Sequence, residues 1–184
     1  MPSCAPSGDG PPAHIVLVGL MGSGKTTAGR LLATRTGRPF VDSDEQVERR
    51  TGATVRQIFE TQGEAAFRRV EADALAEALA TPLPAVIAAA GGVVLSPASR
   101  ALLKRPGSFV VWLRAGADVL AARAASGQHR PLLRDDPVGV LRRMEDDRRD
   151  LYEEVADAVV DVDDRDPEAV VDAILGAADQ AGSA

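Results

Sequence analysis

The chain has 184 residues, 27 acidic against 21 basic side chains, and a formal net charge of −6. This length suits one globular domain, and the negative charge argues against a general nucleic-acid or membrane surface. A single cysteine, Cys4, excludes an internal disulfide and a cysteine-based metal site. Only 3% of the residues are aromatic, which predicts a core of Ala, Val, Leu and Ile.

The first twelve residues have the composition neither of a packed domain nor of a targeting signal. Residues 1–12 are small, with several Pro and Gly, and have no basic start or apolar core. We expect them to form a disordered tail, followed by one domain over 13–178 and a C-terminal tail over 179–184. No apolar run approaches the roughly 18 residues of a membrane span. The cytoplasm is the default compartment, and we expect a monomer without membrane or nucleic-acid partners.

Short apolar segments alternate with helical patterns along the chain. This alternation predicts a five-stranded parallel sheet with helices on both faces, a three-layer α/β fold. The predicted strands are His14–Val18, Pro39–Val41, Ala85–Ala90, Phe109–Leu113 and Ala158–Val162. Predicted helix starts are marked by Ser96-Pro97, Asp136-Pro137, Asp166-Pro167 and a capping box from Thr54 to Gln57.

A glycine loop, Gly19 to Thr27, joins the first predicted strand to a helical pattern. Gly22 and Gly24 would let backbone N–H groups surround phosphate oxygens, and the helix start would attract the same anion. Lys25 can reach the outer phosphates and the Thr26 hydroxyl can ligate Mg²⁺. Strand, loop and helix in this order are typical of a P-loop. We therefore predict a nucleotide-phosphate site in a P-loop NTPase-type fold.

Asp42-Ser43-Asp44 follows the second predicted strand directly. The carboxyl ends of parallel strands collect ligands, so these carboxylates should lie at the edge that carries the P-loop. Asp42 could approach Mg²⁺ and Asp44 could face the phosphate acceptor. The alternative is that both acids serve only as N-caps for a helix over 45–50, which Ser43 would also suit.

Two further patterns have a functional and a purely structural interpretation. Arg68 and Glu71 share one face of a helix predicted from Gly63 to about Ala80, so Glu71 can orient the guanidinium; a solvated surface arginine is the alternative. Gly91-Gly92 follows the third strand and could let a ligand lie against the backbone, or could form a simple turn.

A polar loop over 126–133 carries Arg130 and could close over the nucleotide as a mobile lid, about 124–136. Four arginines follow on the next predicted helix, interleaved with acids: Arg142, Arg143, Arg148 and Arg149. Most must form a solvated, charge-paired face, and spacing alone does not pick out a functional one.

The ordered set of motifs resembles the shikimate kinase family from about His14 to Leu175. The P-loop is shared by many families, whereas five further motifs in the family's order give the resemblance its specificity. They are Asp42-Ser43-Asp44, Phe67-Arg68-Arg69-Val70-Glu71, Gly91-Gly92 before Ser96-Pro97, Arg130-Pro131-Leu132-Leu133 and Arg148-Arg149-Asp150-Leu151-Tyr152.

The resemblance implies transfer of a phosphoryl group from ATP to the 3-hydroxyl of shikimate, on the route to chorismate and the aromatic amino acids. It implies that Lys25, Asp44 and Arg130 are catalytic, with Asp44 either orienting the hydroxyl or accepting its proton. The implied ATP-binding residues are Gly22, Ser23, Gly24, Lys25, Thr26, Thr27, Arg123, Arg130 and Arg165. The implied substrate-binding residues are Asp44, Arg68, Gly91, Gly92 and Arg148, and the implied Mg²⁺ residues are Thr26 and Asp42.

The chain departs from the family pattern at three places. Ala90 stands where the family has the first of three glycines, and its methyl group would weaken shikimate binding only if it faces the substrate. The spacing from the lid to Arg148 is about one residue short. Asp163-Asp164 puts negative charge beside Arg165, where an adenine is expected. None of these changes removes a catalytic group.

Two other functions remain open on the sequence. A related small-molecule kinase, such as a gluconate kinase, would share the P-loop and lid without needing two arginines around a carboxylate. A non-catalytic nucleotide-binding module would be expected to lack Asp44 or the lid arginine, and both are present.

Overall fold

The computed structural model describes residues 14–125 and 136–182. Its five strands are β1 (His14–Val18), β2 (Phe40–Asp42), β3 (Ala85–Ala88), β4 (Ser108–Arg114) and β5 (Ala158–Asp161). Its α-helices are α1 (Lys25–Thr36), α2 (Ser43–Thr51), α3 (Val55–Leu79), α4 (Pro97–Leu103), α5 (Ala117–Ala125), α6 (Pro137–Val155) and α7 (Pro167–Ala181). A short 3-10 helix covers Val93–Leu95.

All strands are parallel and lie in the order β2-β3-β1-β4-β5. Every residue of β1 is buried, which requires helices on both faces of the sheet. The core is built mainly from Val, Leu, Ile and Ala, as the low aromatic content predicted. The predicted three-layer α/β fold with a five-stranded parallel sheet is confirmed.

The predicted helix starts are confirmed, although several element ends differ by a few residues. Ser96, Asp136 and Asp166 each accept a backbone N–H at the start of a helix, and Thr54 forms a capping box with Gln57. The third strand ends at Ala88 rather than Ala90, because Ala88 is the last residue that pairs with both neighbouring strands. Helix α7 continues to Ala181, beyond the domain end expected at 178.

The long helix α3 is interrupted at Gly63, whose φ of 79° and ψ of 173° are not helical. The part after Gly63 corresponds to the helix that the sequence predicted, and Phe67 on it packs with Val47 and Ile58 in a small second core. This core fixes α2 against α3. The acidic residues at the start of α2 are thereby positioned relative to Arg68 on α3.

Candidate active site

The P-loop follows β1 at the centre of the sheet. Gly19, Gly22 and Gly24 all have positive φ angles, which favour glycine. A Cβ atom at Gly19 would also lie only 2.5 Å from the carbonyl oxygen of Leu113 on β4. The loop backbone is therefore held against the sheet by a contact that no other residue type permits.

Lys25 is the first residue of α1, and its ammonium group lies inside the P-loop. Its Nζ donates to the carbonyl oxygens of Gly19 at 2.8 Å and Leu20 at 3.0 Å. Ser23 is buried, with its backbone N–H bonded to Leu20, whereas Thr26 and Thr27 are exposed. A positive charge and the start of a helix thus lie together at the carboxyl end of β1, which is the arrangement that binds phosphate.

Asp42 joins the P-loop helix to α2. One oxygen of its carboxylate accepts the Thr26 hydroxyl at 2.9 Å, and the other accepts the N–H of Asp44 at 3.0 Å. The same side chain therefore caps α2 and lies beside Thr26, so the capping and the functional interpretations of the sequence are compatible. A hydroxyl and a carboxylate at this edge are hard oxygen ligands of the kind that Mg²⁺ prefers.

Ser43 has a role that the sequence did not indicate. It is buried, and its Oγ accepts the N–H of Ala90 at 2.8 Å, so it is not a helix cap. This bond holds the segment that follows β3 against the start of α2. Ala90 as a residue is only 5% exposed, so its methyl group offers almost no surface to a ligand.

Arg68 is held in one orientation by two acids of its own helix. Its Nη1 donates to Glu71 at 2.6 Å and its Nη2 donates to Glu64 at 3.1 Å. Burial would lower the pKa of Arg68, but the hydrogen bonds and charges of Glu71 and Glu64 together outweigh burial and raise it. The surface-arginine alternative does not apply, because the Arg68 side chain is three-quarters buried at 25% exposure.

Glu71 is buried beneath this guanidinium with 4% of its surface exposed. Burial raises the pKa of its carboxyl, the hydrogen bond from Arg68 opposes that rise, and the charges of Asp44 and Arg148 also act on it. These four charged groups therefore lie close together, on α2, α3 and α6.

Gly91 and Gly92 lie in contact with this charged cluster and with the P-loop. A Cβ at Gly91 would lie 3.1 Å from the carbonyl oxygen of Gly19, so Gly91 lies directly against the P-loop. A Cβ at Gly92 would lie 2.0 Å from Nη1 of Arg68. The two glycines thus let the phosphate loop and the guanidinium approach the same stretch of backbone.

Helix α6 supplies the second arginine. Arg148 is half-buried and donates from Nη1 to the carbonyl oxygen of Gly91 at 3.2 Å, whereas its neighbours Arg142, Arg143 and Arg149 are exposed. Arg149 pairs with Glu145 on the helix surface. Of these four arginines, the structure thus brings Arg148 to the charged cluster and leaves the other three at the helix surface.

The remaining nucleotide-binding candidates lie partly outside this cluster. Arg123 on α5 donates to the carbonyl oxygen of Val162 at 2.7 Å, which places it against the loop that carries the exposed Arg165. In the same loop Asp163 accepts the N–H of Gly116, immediately before α5, at 2.9 Å. The carboxylate of Asp163 thus stabilises the start of α5. Arg130 and most of the expected lid lie outside the described residues.

The fold and these residues define a P-loop phosphotransferase with two arginines beside the phosphate loop. A family model for shikimate kinase matches residues 21–179. The chain is 49% identical to a shikimate kinase from Symbiobacterium thermophilum over 165 residues, which cover 88% of this chain and 94% of that protein. The chain belongs to the shikimate kinase family.

Two solved structures bear on the fold and the site. A shikimate kinase from Acinetobacter baumannii in complex with shikimate is 38% identical, with a TM-score of 0.84 over 89% of this chain and 90% of that one. A gluconokinase from Sinorhizobium meliloti has a TM-score of 0.68 over 94% and 95% of the two chains. Its sequence identity is 23%, so this second likeness concerns the fold alone.

Proposed function

We propose that the protein transfers the γ-phosphoryl group of ATP to the 3-hydroxyl of shikimate and so forms shikimate 3-phosphate for chorismate and aromatic amino-acid biosynthesis. The observation that carries this proposal is the convergence of Arg68 and Arg148 on Gly91-Gly92, directly against the P-loop. Two guanidinium groups beside a phosphate cradle suit an acceptor that carries a carboxylate, since guanidinium forms paired hydrogen bonds to it. Family membership supports the same substrate.

The nucleotide would lie with its phosphates on the P-loop backbone. Lys25 is already inside the loop and would exchange its bonds to the Gly19 and Leu20 carbonyls for the outer phosphates. Gly22, Ser23, Gly24, Thr26 and Thr27 would line the same cradle. Arg123 and Arg165 would flank the adenine, and Arg130 would bring a further positive charge from the lid.

Thr26 and Asp42 fit a magnesium ion, because both offer oxygen atoms at the phosphate edge of the sheet. Asp42 would lie close to the metal and still cap α2 through its second oxygen. When bound, Mg²⁺ neutralises charge on the phosphate oxygens of the nucleotide. The hydrogen bond between Thr26 on α1 and Asp42 before α2 would keep the two metal-binding side chains next to each other.

The acceptor would lie between the two arginines and Asp44. Its carboxylate would pair with Arg68 and Arg148, which are held from different helices and so fix its orientation. Asp44, in the first turn of α2, would hold the 3-hydroxyl and either orient it or take its proton. Phosphoryl transfer needs mainly positioning and charge stabilisation. A site that holds the hydroxyl in line with the γ-phosphate would therefore meet the main requirement of the reaction.

We further propose a cytoplasmic monomer that takes a small-molecule substrate and neither a membrane nor a nucleic acid as partner. In residues 14–125 and 136–182, no helix combines the length and apolar character of a membrane span.

The test is ADP release from ATP and Mg²⁺ with shikimate, with gluconate and without an acceptor, in the wild type and in Lys25→Ala. Release that depends on shikimate and is lost in Lys25→Ala supports the proposal. Release with gluconate alone would show that the protein is a kinase for another acceptor, and that Arg68 and Arg148 do not bind the carboxylate of shikimate. ATP binding without turnover on any acceptor identifies a nucleotide-binding module instead.

A further inference from the structure

Tyr152 lies at the site without a role in the scheme above. It is on α6, one helical turn after Arg148, and only 1% of its surface is exposed. Its ring stacks on Trp112 of β4, with ring centroids 5.4 Å apart and an interplanar angle of 19°. The ring is therefore fixed, and the direction of its hydroxyl is fixed with it.

The Tyr152 hydroxyl donates to the carbonyl oxygen of Gly91 at 2.6 Å. Arg148 donates to the same oxygen at 3.2 Å. Burial raises the pKa of Tyr152 to about 12, so the hydroxyl keeps its proton and remains a donor at neutral pH. One carbonyl oxygen thus receives a short hydrogen bond from a rigid phenol and a longer one from a flexible guanidinium.

The two donors differ in what they can do when a carboxylate arrives. Arg148 would turn towards the substrate and give up its bond to Gly91, which at 3.2 Å is the longer of the two. A half-buried carbonyl that loses every donor is unfavourable, and that cost would be subtracted from the binding of the substrate. Arg148 also shares a hydrogen bond with the Tyr152 side chain, which it would give up on turning. The Tyr152 hydroxyl keeps the Gly91 carbonyl paired, so no further cost arises at that oxygen.

We propose that Tyr152 is a positioning residue for the acceptor site: it satisfies the Gly91 carbonyl and thereby frees Arg148 to bind the substrate carboxylate. The same bond holds Gly91 against the P-loop, since a Cβ at Gly91 would lie 3.1 Å from the Gly19 carbonyl oxygen. This inference rests on the proposed function, because the carboxylate is that of shikimate.

The variant that tests this role is Tyr152→Phe, which removes one oxygen atom and keeps the ring on Trp112. We expect the KM for shikimate to rise about tenfold, the scale of one lost hydrogen bond to a buried group. The kcat at saturating shikimate and the KM for ATP should stay within about twofold. A purely structural role would lower stability without this separation between KM and kcat.

A double-mutant cycle with Arg148→Ala distinguishes release of Arg148 from an independent effect. In the Arg148→Ala background, adding Tyr152→Phe should leave the KM for shikimate unchanged within about twofold. An equal rise in both backgrounds, or an unchanged KM in Tyr152→Phe alone, overturns the inference. The rise in Tm that shikimate induces gives the same comparison without turnover.

Thr36→Val is the matched control, since it also removes a hydroxyl that donates to a carbonyl, that of Leu32 at 2.8 Å, but far from the site. It should leave the KM for shikimate unchanged. Wild-type turnover separates the two proposals: if the wild type does not use shikimate, the proposed function fails and this inference fails with it. If it does, the Tyr152 variants decide this inference alone.

Discussion

The guanidinium of Arg68 occupies the space that a side chain at Gly92 would need. A Cβ at Gly92 would lie 2.0 Å from Nη1 and 2.8 Å from Cζ of Arg68. The φ of Gly92 is −89°, which any residue can adopt, so the glycine is required by this contact and not by its backbone angle. The clash would be with the end of a flexible side chain, which can move away while the fold stays intact.

We therefore expect Gly92→Ala to displace Arg68 and to raise the KM for shikimate about tenfold, while the Tm changes little. Steady-state kinetics and thermal unfolding measure the two effects. Gly176→Ala is the control, since its Cβ would meet no atom within 4 Å in helix α7. It should raise stability by about 0.5–1 kcal/mol without changing the KM. An unchanged KM in Gly92→Ala would show that this contact does not position Arg68.

Arg68→Lys should weaken shikimate binding at least tenfold with little change in the KM for ATP, because an ammonium cannot reproduce the two-pronged guanidinium contact. Arg69→Lys provides the matched control on the next, exposed residue. Equal values of the shikimate KM in both variants would remove Arg68 from the substrate site.

Asp44→Asn should lower kcat by about 100-fold or more, since it removes the only charge proposed to hold the acceptor hydroxyl. The amide is nearly isosteric, so circular dichroism and Tm should match the wild type. Glu45→Gln makes the same chemical change on the neighbouring residue, which pairs with Arg30 on the surface. A kcat near the wild-type value in Asp44→Asn would contradict the role assigned to this carboxylate.

Asp42→Asn should raise the Mg²⁺ concentration needed for half-maximal activity, because an amide is a weaker ligand for a hard cation than a carboxylate. The cap of α2 should persist, since asparagine is also a good N-cap. Asp157→Asn is the control: its carboxylate also accepts a backbone N–H, that of Val110 at 2.7 Å, but just before β5 begins. An unchanged Mg²⁺ dependence in Asp42→Asn would place the metal elsewhere.

Because of the buried carboxyl group of Glu71, we expect the stability of the folded protein to depend on pH. Burial raises the pKa of its carboxyl above the ordinary value of 4.5, so the folded protein holds this proton more tightly than the unfolded chain does. The resulting stability is fully present below pH 4.5 and is lost as the pH rises through the folded-state pKa.

The glutamine side chain in Glu71→Gln cannot ionise, so this variant should not lose stability in this way as the pH rises. The free energy of unfolding of the variant, measured by urea denaturation, should therefore improve relative to the wild type as the pH rises from about 4 to 7. A difference that stays constant, or moves the other way, would contradict the raised pKa.

Much of the fold could be predicted from local sequence. The apolar runs gave the number and type of strands, and the side chains before Pro97, Pro137 and Pro167 gave helix starts that the structure confirms. Strand ends were less predictable: β2 extends to Asp42 and β3 stops at Ala88, because pairing with neighbouring strands decides where a strand ends.

The candidate site was predictable as a set of residues but not as an arrangement. The P-loop, the acidic pair and the arginines are visible in the sequence, since each has a characteristic residue type and spacing. The buried partners were harder to foresee. Nothing local indicates that Ser43 bonds Ala90 or that Asp163 caps the start of α5, because both pairs are distant along the chain.

The sequence by itself determined a P-loop and a parallel α/β sheet, because glycine spacing and hydrophobic periodicity act over a few neighbouring residues. The family resemblance came from the order of several motifs along the chain. Only the tertiary structure decided the strand order, the position of Arg148 against Gly91, and the close contacts of Gly91 and Gly92. These depend on which distant segments the sheet brings to one edge, where a missing Cβ or one buried hydroxyl has an effect that no local pattern records.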